Sequence, residues 1–102
     1  MALPIAETNG RRDFSPDGVR VAPLLDTDRV RMLLVNLDAG QSVAPCQMPC
    51  TVLYYIIEGQ GCLRMGDEQA ELRTGSLVVV PAGAVRAIAA AEQMRVLAVQ
   101  VL

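Results

Sequence analysis

The sequence contains no histidine, no lysine and no tryptophan, and these absences exclude several classes of function. Without histidine the chain cannot form a Ser-His-Asp triad, a Cys-His pair or an imidazole metal site. All 9 basic residues are arginines, and they face 11 acidic residues, for a net charge of -2. Nucleic-acid binding usually shows as a basic excess or stripe, so we expect no nucleic-acid partner.

Disulfide, secretory and membrane-spanning features are also missing. The 3 cysteines are an odd number, which does not suit a disulfide framework. The first residues lack the basic start and apolar stretch of a signal peptide. The longest apolar runs, such as Val52–Ile57, fall far short of the roughly 20 residues of a membrane span. We therefore expect a cytoplasmic protein with reduced cysteines and no membrane partner.

The residues that are present favour one small all-β domain. The chain has 102 residues, of which 52% are hydrophobic, enough for a single compact core. Residues 1–18 are rich in turn residues and predict an N-terminal arm, with one domain over residues 19–102. Short β-type runs separated by turn residues then predict a sandwich or barrel. These runs are Val19–Leu25, Arg29–Asp38, Gln41–Thr51, Val52–Glu58, Cys62–Met65, Gln69–Arg73, Leu77–Val80, Val85–Ala90 and Met94–Val101.

Two of the predicted strands are apolar at every position rather than at alternate positions. They are Val52–Ile57 and Leu77–Val80. A strand with one face in water alternates, whereas a strand covered on both faces does not. A barrel interior covers only one face, so we predict a homodimer that covers the other. The alternative is that the N-terminal arm folds over that face.

Glycines at fixed spacing mark two motifs later in the chain. The first contains Gly40, Cys46, Met48, Val52 and Gly59, and the second contains Gly75, Pro81, Gly83, Arg86 and Ala90. The spacing, with the strings YYIIEGQG and GSLVVVPAG, resembles the two signature motifs of the cupin superfamily from about Val30 to Val101. The resemblance implies a small double-stranded β-helix, the jelly-roll barrel of RmlC-like proteins, which is commonly dimeric.

The chain departs from the resembled family at the metal ligands. Cupins usually place two histidines and a glutamate in the first motif and a histidine in the second, and these hold a divalent metal inside the barrel. The matching positions here are Cys46, Met48, Val52 and Arg86. The resemblance therefore implies a degenerate metal site, without the metal chemistry common in the family.

The replacement of a ligand histidine by Arg86 predicts a metal-free site for a small anion. A guanidinium binds carboxylate or phosphate through two parallel hydrogen bonds. Tyr54 shares the strand parity of Val52 and is expected to line the same pocket. The predicted walls are Met32, Leu34, Cys46, Met48, Val52 and Ile88. The alternative is that Arg86 pairs with Glu58, Glu92 or another carboxylate of the chain.

Other hypotheses remain open for the same positions. Cys46, Met48 and Cys50 lie at a period of two, so in an extended strand they share one face and offer soft ligands for Cu(I) or zinc. A small enzyme would use Cys46 as nucleophile, or Tyr54 and Arg86 as acid and electrostatic stabiliser. The last hypothesis is a structural or interaction module whose barrel is filled by its own side chains.

Overall fold

A computed structural model describes Ile5, residues 7–9 and residues 12–102, and its fold is all-β. The described residues form nine strands and contain no helix. The strands are β1 (Arg20–Asp26), β2 (Val30–Leu37), β3 (Ser42–Gln47), β4 (Thr51–Glu58), β5 (Gln60–Met65), β6 (Glu68–Arg73), β7 (Leu77–Val80), β8 (Val85–Ala90) and β9 (Met94–Val101). Because no helix is present there, no helix could cross a membrane. The predicted all-β jelly-roll architecture is confirmed.

The strands form two antiparallel sheets with one apolar core. The five-stranded sheet has the order β1-β2-β9-β4-β7, and the four-stranded sheet has the order β3-β8-β5-β6. Ile56 and Val96 of the first sheet belong to the same buried cluster as Leu63 and Leu72 of the second. Burial of these side chains, each worth roughly 1.5–3 kcal/mol, holds the two sheets together.

The third predicted strand is shorter than the sequence suggested. β3 ends at Gln47, and β4 begins only at Thr51. The pairing of β3 with β8 shifts between Val43 and Cys46, around Pro45. Proline cannot donate to a ladder, which confines it to edge strands and bulges, and β3 is the edge of its sheet. The predicted edge or bulged strand is confirmed, but its extension to Thr51 is wrong.

Two motif glycines are required for different physical reasons. Gly59 has a φ of 103°, the left-handed region that side chains disfavour. Gly61 lies inside β5, where a Cβ would overlap the carbonyl oxygen of Ala89 on the neighbouring β8. These glycines bring β5 close to β8 and to the start of β9, and their role is structural.

The N-terminal segment is attached to the outer side of the five-stranded sheet. The carbonyl oxygen of Thr8 accepts a hydrogen bond from Arg95, and that of Asp13 accepts one from Asn36 at 3.1 Å. Asn36 and Arg95 are register partners on β2 and β9. Residues 1–4, 6, 10 and 11 of the predicted arm lie outside the described residues.

A patch on the same outer side remains exposed and apolar. We call it the outer patch, and it consists of Tyr55, Leu77, Val79 and Val101. Tyr55 lies opposite Leu77 in the β4–β7 pair, and Leu77 is 63% exposed. The described arm residues bond to Asn36 and Arg95 rather than to this patch. The homodimer expected to cover it stays a prediction.

Candidate functional site

The candidate site is a cavity of about 190 Å³ between the two sheets. All five residues predicted to bind a ligand line it, although they come from three different strands and one turn. They are Arg86, Tyr54, Cys46, Met48 and Val52. The barrel is therefore not filled by its own side chains. Of the predicted walls, Ile88 also lines this cavity.

Arg86 is a buried cation in this cavity. It lies on β8 with 4% of its surface exposed. Its Nε donates a hydrogen bond of 3.0 Å to the hydroxyl oxygen of Tyr54 on β4. The guanidinium carbon lies 5.8 Å from the centroid of the Tyr54 ring, within the range of a cation–π contact. The buried phenol thus finds its polar partner in the guanidinium, across the barrel.

No carboxylate of the described chain neutralises Arg86. The described ion pairs join other arginines to carboxylates, and Glu58 bonds to Arg95 and Arg12. The predicted alternative, in which Glu58 or Glu92 pairs with Arg86, is therefore wrong. The physical reason is that Glu58 lies at the end of β4 opposite Arg95. A buried charge without a counter-charge costs several kcal/mol, and no carboxylate of the described residues offsets this cost for Arg86.

Cys46 is the direct neighbour of Arg86 across the β3–β8 pair. Directly opposed residues of an antiparallel pair have Cβ atoms about 4.5–5.5 Å apart and point to the same face. Cys46 is exposed and is a free thiol. Cys46 therefore places a thiol at the rim of the cavity, beside the guanidinium.

Cys50 does not join Cys46 and Met48 at the cavity. It is buried in the apolar core at 9% exposure, but it is not among the residues that line the cavity. The period-two prediction for the three sulfur residues is wrong beyond Gln47, because the extended strand ends there and Pro49 and Cys50 lie in a bend. Only two of the three proposed soft ligands share this space.

The predicted walls on β2 are also wrong by one position. Leu33 and Val35 line the cavity, in place of Met32 and Leu34. Leu33 lies opposite Ala98 and Val35 opposite Val96 on β9, and both partners face the cavity. The sequence of β2 is apolar on both faces, so hydrophobic alternation could not assign the parity.

Gln100 is a site residue that the sequence analysis missed. It lines the cavity on β9, and its Oε1 is buried without a hydrogen-bond partner. Its position has the same parity as Met94, Val96 and Ala98, which are all buried. A polar residue at an inward position of an apolar strand is a signal that would have found it.

A second depression is wider but differs in character. It is a surface groove of about 380 Å³ lined by exposed side chains such as Glu71 and Arg73. Water already solvates those charges, so the groove lacks the uncompensated buried charge of the barrel cavity. The barrel cavity, rather than the surface groove, is therefore the candidate functional site.

Residues 33–100 match the family described as the cupin domain. The chain belongs to the cupin family. A cupin superfamily protein from Desulfitobacterium hafniense DCB-2 shares 24% identity with this cupin, with a TM-score of 0.80, over 100% of this chain and 91% of its own. An RmlC-like cupin protein from Desulfovibrio desulfuricans shares 16% identity and a TM-score of 0.90, over 98% of this chain and 97% of its own.

One enzyme is among the similar structures. The salicylate 1,2-dioxygenase of Pseudoaminobacter salicylatoxidans, solved with gentisate adducts, shares 20% identity and a TM-score of 0.77. The match covers 84% of this cupin but only 25% of the dioxygenase. At these identities the likeness is one of fold. No match was found among curated proteins.

The donor set of this cupin does not fit the divalent metal that its family implies. Among the described residues, the cavity lining contains no histidine, aspartate or glutamate, and it includes the buried guanidinium of Arg86. Within the described residues, no three His, Cys, Asp or Glu side chains lie together as a metal-ligating group. A cation would meet the positive charge of Arg86 instead of the carboxylate and imidazole donors that hard metals prefer.

Proposed function

We propose that this cupin is a metal-free binding protein for a small anionic molecule, held in the barrel cavity by Arg86 and Tyr54. The observation that carries the proposal is the buried guanidinium of Arg86, which has no carboxylate partner in the described chain. An anionic ligand supplies the missing counter-charge within a low-dielectric cavity, where the attraction is stronger than in water.

The hydrogen bonds of the pair support the same ligand class. Because Nε of Arg86 is used on Tyr54, the terminal NH₂ groups of the guanidinium remain for a ligand. The Tyr54 hydroxyl accepts that bond with its oxygen, so its own proton is left to donate. Together they offer several donors to a carboxylate or phosphate oxygen, and the apolar walls surround the rest of the molecule.

The size of the cavity limits the ligand. A volume of about 190 Å³ is below the ~300–1,000 Å³ of pockets that hold drug-sized molecules. We therefore propose a ligand smaller than a drug-sized molecule, such as a short-chain carboxylate.

The alternative functions have less support. A soft Cu(I) or zinc site would rest on Cys46 and Met48 alone, beside a positive charge. An enzyme with Cys46 as nucleophile would need a base, and the described cavity lining offers no histidine or carboxylate. Stoichiometric copper or zinc that is lost in Cys46→Ala/Met48→Ala would overturn the metal-free proposal.

We also propose a cellular compartment and an oligomeric state for this protein. Free cysteines are typical of a reducing compartment, which supports the cytoplasm. The outer patch supports a homodimer, because large exposed apolar patches are rare on monomers.

The test is an NMR titration of the ¹⁵N-labelled protein with acetate, propionate and inorganic phosphate at constant ionic strength. We expect saturable shifts of the amides around Arg86 for at least one of these anions, and no saturation in Arg86→Met. Arg29→Met removes an exposed arginine and serves as the charge-matched control. Binding that persists in Arg86→Met, or absence of binding in the wild type, would overturn the proposal.

A further inference from the structure

The carboxamide of Gln100 is the second polar group without a partner in the barrel cavity. Its Oε1 is buried and accepts no hydrogen bond from the described residues. Its register neighbours on the adjacent strands are Val52 and Arg31, and the Arg31 Nε bonds to Asp26. Buried acceptors are nearly always satisfied in folded proteins, so an orphaned one at a cavity wall calls for a donor from outside the chain.

The cavity thus presents two unmet requirements in one apolar space. Arg86 requires an anion, and Gln100 requires a hydrogen-bond donor. The terminal torsion of glutamine is broad, so the carboxamide can turn its oxygen toward a bound molecule. One small ligand with an anionic end and a donor on its body satisfies both groups.

From this arrangement we infer that the ligand is a small carboxylate carrying a neutral hydroxyl group, with the carboxylate on Arg86 and the hydroxyl donating to Gln100. The inference rests on the proposed anion-binding function and names its ligand class. A hydroxyl fits better than an ammonium group, because the described lining contains no carboxylate to compensate a second positive charge beside Arg86. Amino acids of the same size are therefore expected to bind more weakly than the hydroxy acids.

Five small carboxylates of nearly equal size serve as the probes for this test. They are propionate, 2-hydroxypropionate, 3-hydroxypropionate, alanine and β-alanine, so their affinities compare the added group rather than the size of the ligand. NMR titrations of the wild type give the dissociation constant of each. We expect at least one hydroxypropionate to bind about fivefold or more tightly than propionate, and both amino acids to bind more weakly than propionate.

Gln100→Leu removes the acceptor and keeps an apolar side chain of similar size. We expect this variant to lose the hydroxypropionate advantage, measured within the variant as the ratio of its propionate and hydroxypropionate dissociation constants. Gln69→Leu, which changes an exposed glutamine of β6, is the matched control and should retain the advantage. Thermal unfolding of each variant confirms that it is folded.

The outcomes separate this inference from the function on which it rests. If propionate binds through Arg86 but a hydroxyl adds nothing, or the advantage survives Gln100→Leu, the hydroxy-acid inference is wrong and anion binding stands. If alanine or β-alanine binds best, the inference is also wrong. If the wild type binds none of these carboxylates, or Arg86→Met binds them equally, both proposals fail.

Discussion

The Nε atom of Arg86 donates a hydrogen bond of 3.0 Å to the hydroxyl oxygen of Tyr54, and this bond joins the two sheets across the cavity. Arg86 lies on β8 of the four-stranded sheet and Tyr54 on β4 of the five-stranded sheet. The bond holds the guanidinium in the barrel interior, although no carboxylate of the described chain compensates its charge. From this arrangement we expect substitutions at Arg86 and Tyr54 to affect stability and ligand binding in different ways.

Replacement of Arg86 by methionine should not destabilise the protein. The substitution breaks the hydrogen bond to the buried Tyr54 hydroxyl, at a cost of about 1–2 kcal/mol. It also removes the larger desolvation cost of a buried charge without a counter-charge, so we expect the free energy of unfolding to stay the same or to rise by about 1–2 kcal/mol. Chemical denaturation without added ligand measures this change. Arg95→Met is the matched control, because Arg95 is 2% exposed but bonds to Glu58 at 2.9 Å.

The control should behave in the opposite way. Loss of the Arg95–Glu58 bond is expected to lower the free energy of unfolding by about 1–2 kcal/mol. If Arg86→Met were as destabilising as Arg95→Met, Arg86 would be a structural residue, and its buried charge would no longer support a ligand site.

The Tyr54 hydroxyl should contribute to both stability and binding. Tyr54→Phe leaves Nε of Arg86 buried without an acceptor, so we expect a loss of about 1–2 kcal/mol in the free energy of unfolding. Anion affinity should fall about five- to tenfold, because a donor to the ligand is lost with the hydroxyl. The double variant Tyr54→Phe/Arg86→Met should be more stable than Tyr54→Phe alone, and strict additivity would contradict the coupling.

The sequence predicted more of the barrel than of its interior. Turn residues and β-type runs located all nine strands, because glycine and proline punctuate them strongly. The resemblance to the cupin motifs implied that Arg86 and Cys46 occupy ligand positions inside the barrel, and both line the cavity. The site residues of β2 could not be assigned from the sequence, since Leu33 and Val35 lie in a strand that is apolar on both faces.

The position of Cys50 could not be predicted for a different reason. Its alternation with Cys46 and Met48 holds only while the strand is extended, and the strand ends at Gln47. Whether a strand continues past a proline depends on its tertiary partners, which the sequence does not show. The partner of Arg86 was similarly undetermined, because Glu58 could be assigned to Arg95 only after the register of β4 and β9 was known.

Acid should lower the stability of the protein by protonating the Glu58 carboxylate. Its pKa lies below the ordinary value of 4.5 because of the hydrogen bond from Arg95, against a smaller opposing effect of burial and with help from the charge of Arg12. A carboxyl whose pKa is lowered by folding stabilises the protein above its unfolded-state pKa, and this stabilisation is lost as the pH falls through the folded-state value. The wild type should therefore lose stability below about pH 4.5.

The comparison with Glu58→Gln isolates this effect. At pH 7 the variant should have a lower Tm than the wild type, and the difference should shrink as the pH falls below 4.5 and the Glu58 carboxylate takes up a proton. Thermal unfolding at pH 7, 5 and 3 measures it. A difference in Tm that stays constant or grows on acidification would contradict the assignment of the lowered pKa to Glu58.

The outer patch should mediate self-association. We expect the wild type to have a solution mass of twice 10.9 kDa by light scattering, and Leu77→Lys/Val79→Lys to be a monomer. These side chains are 63% and 56% exposed, so the substitutions should leave the folded monomer intact. Val85→Lys changes an exposed valine of the other sheet and should remain dimeric. A monomeric wild type would contradict the prediction.

The most direct test of the anion site uses Cys46 as a reporter of what Arg86 attracts. Cys46 lies opposite Arg86, whereas Cys62 lies opposite Ala89 and Glu71. Iodoacetate and iodoacetamide alkylate thiols in the same way but differ by one negative charge. The ratio of their rates at each cysteine, followed by mass spectrometry, cancels the intrinsic reactivity of the thiol. We predict an iodoacetate-to-iodoacetamide ratio at Cys46 that is about fivefold or more higher in the wild type than in Arg86→Met, while the ratio at Cys62 stays the same in both proteins. A Cys46 ratio unchanged in Arg86→Met, or a change of the same size at Cys62, would contradict an anion site at Arg86.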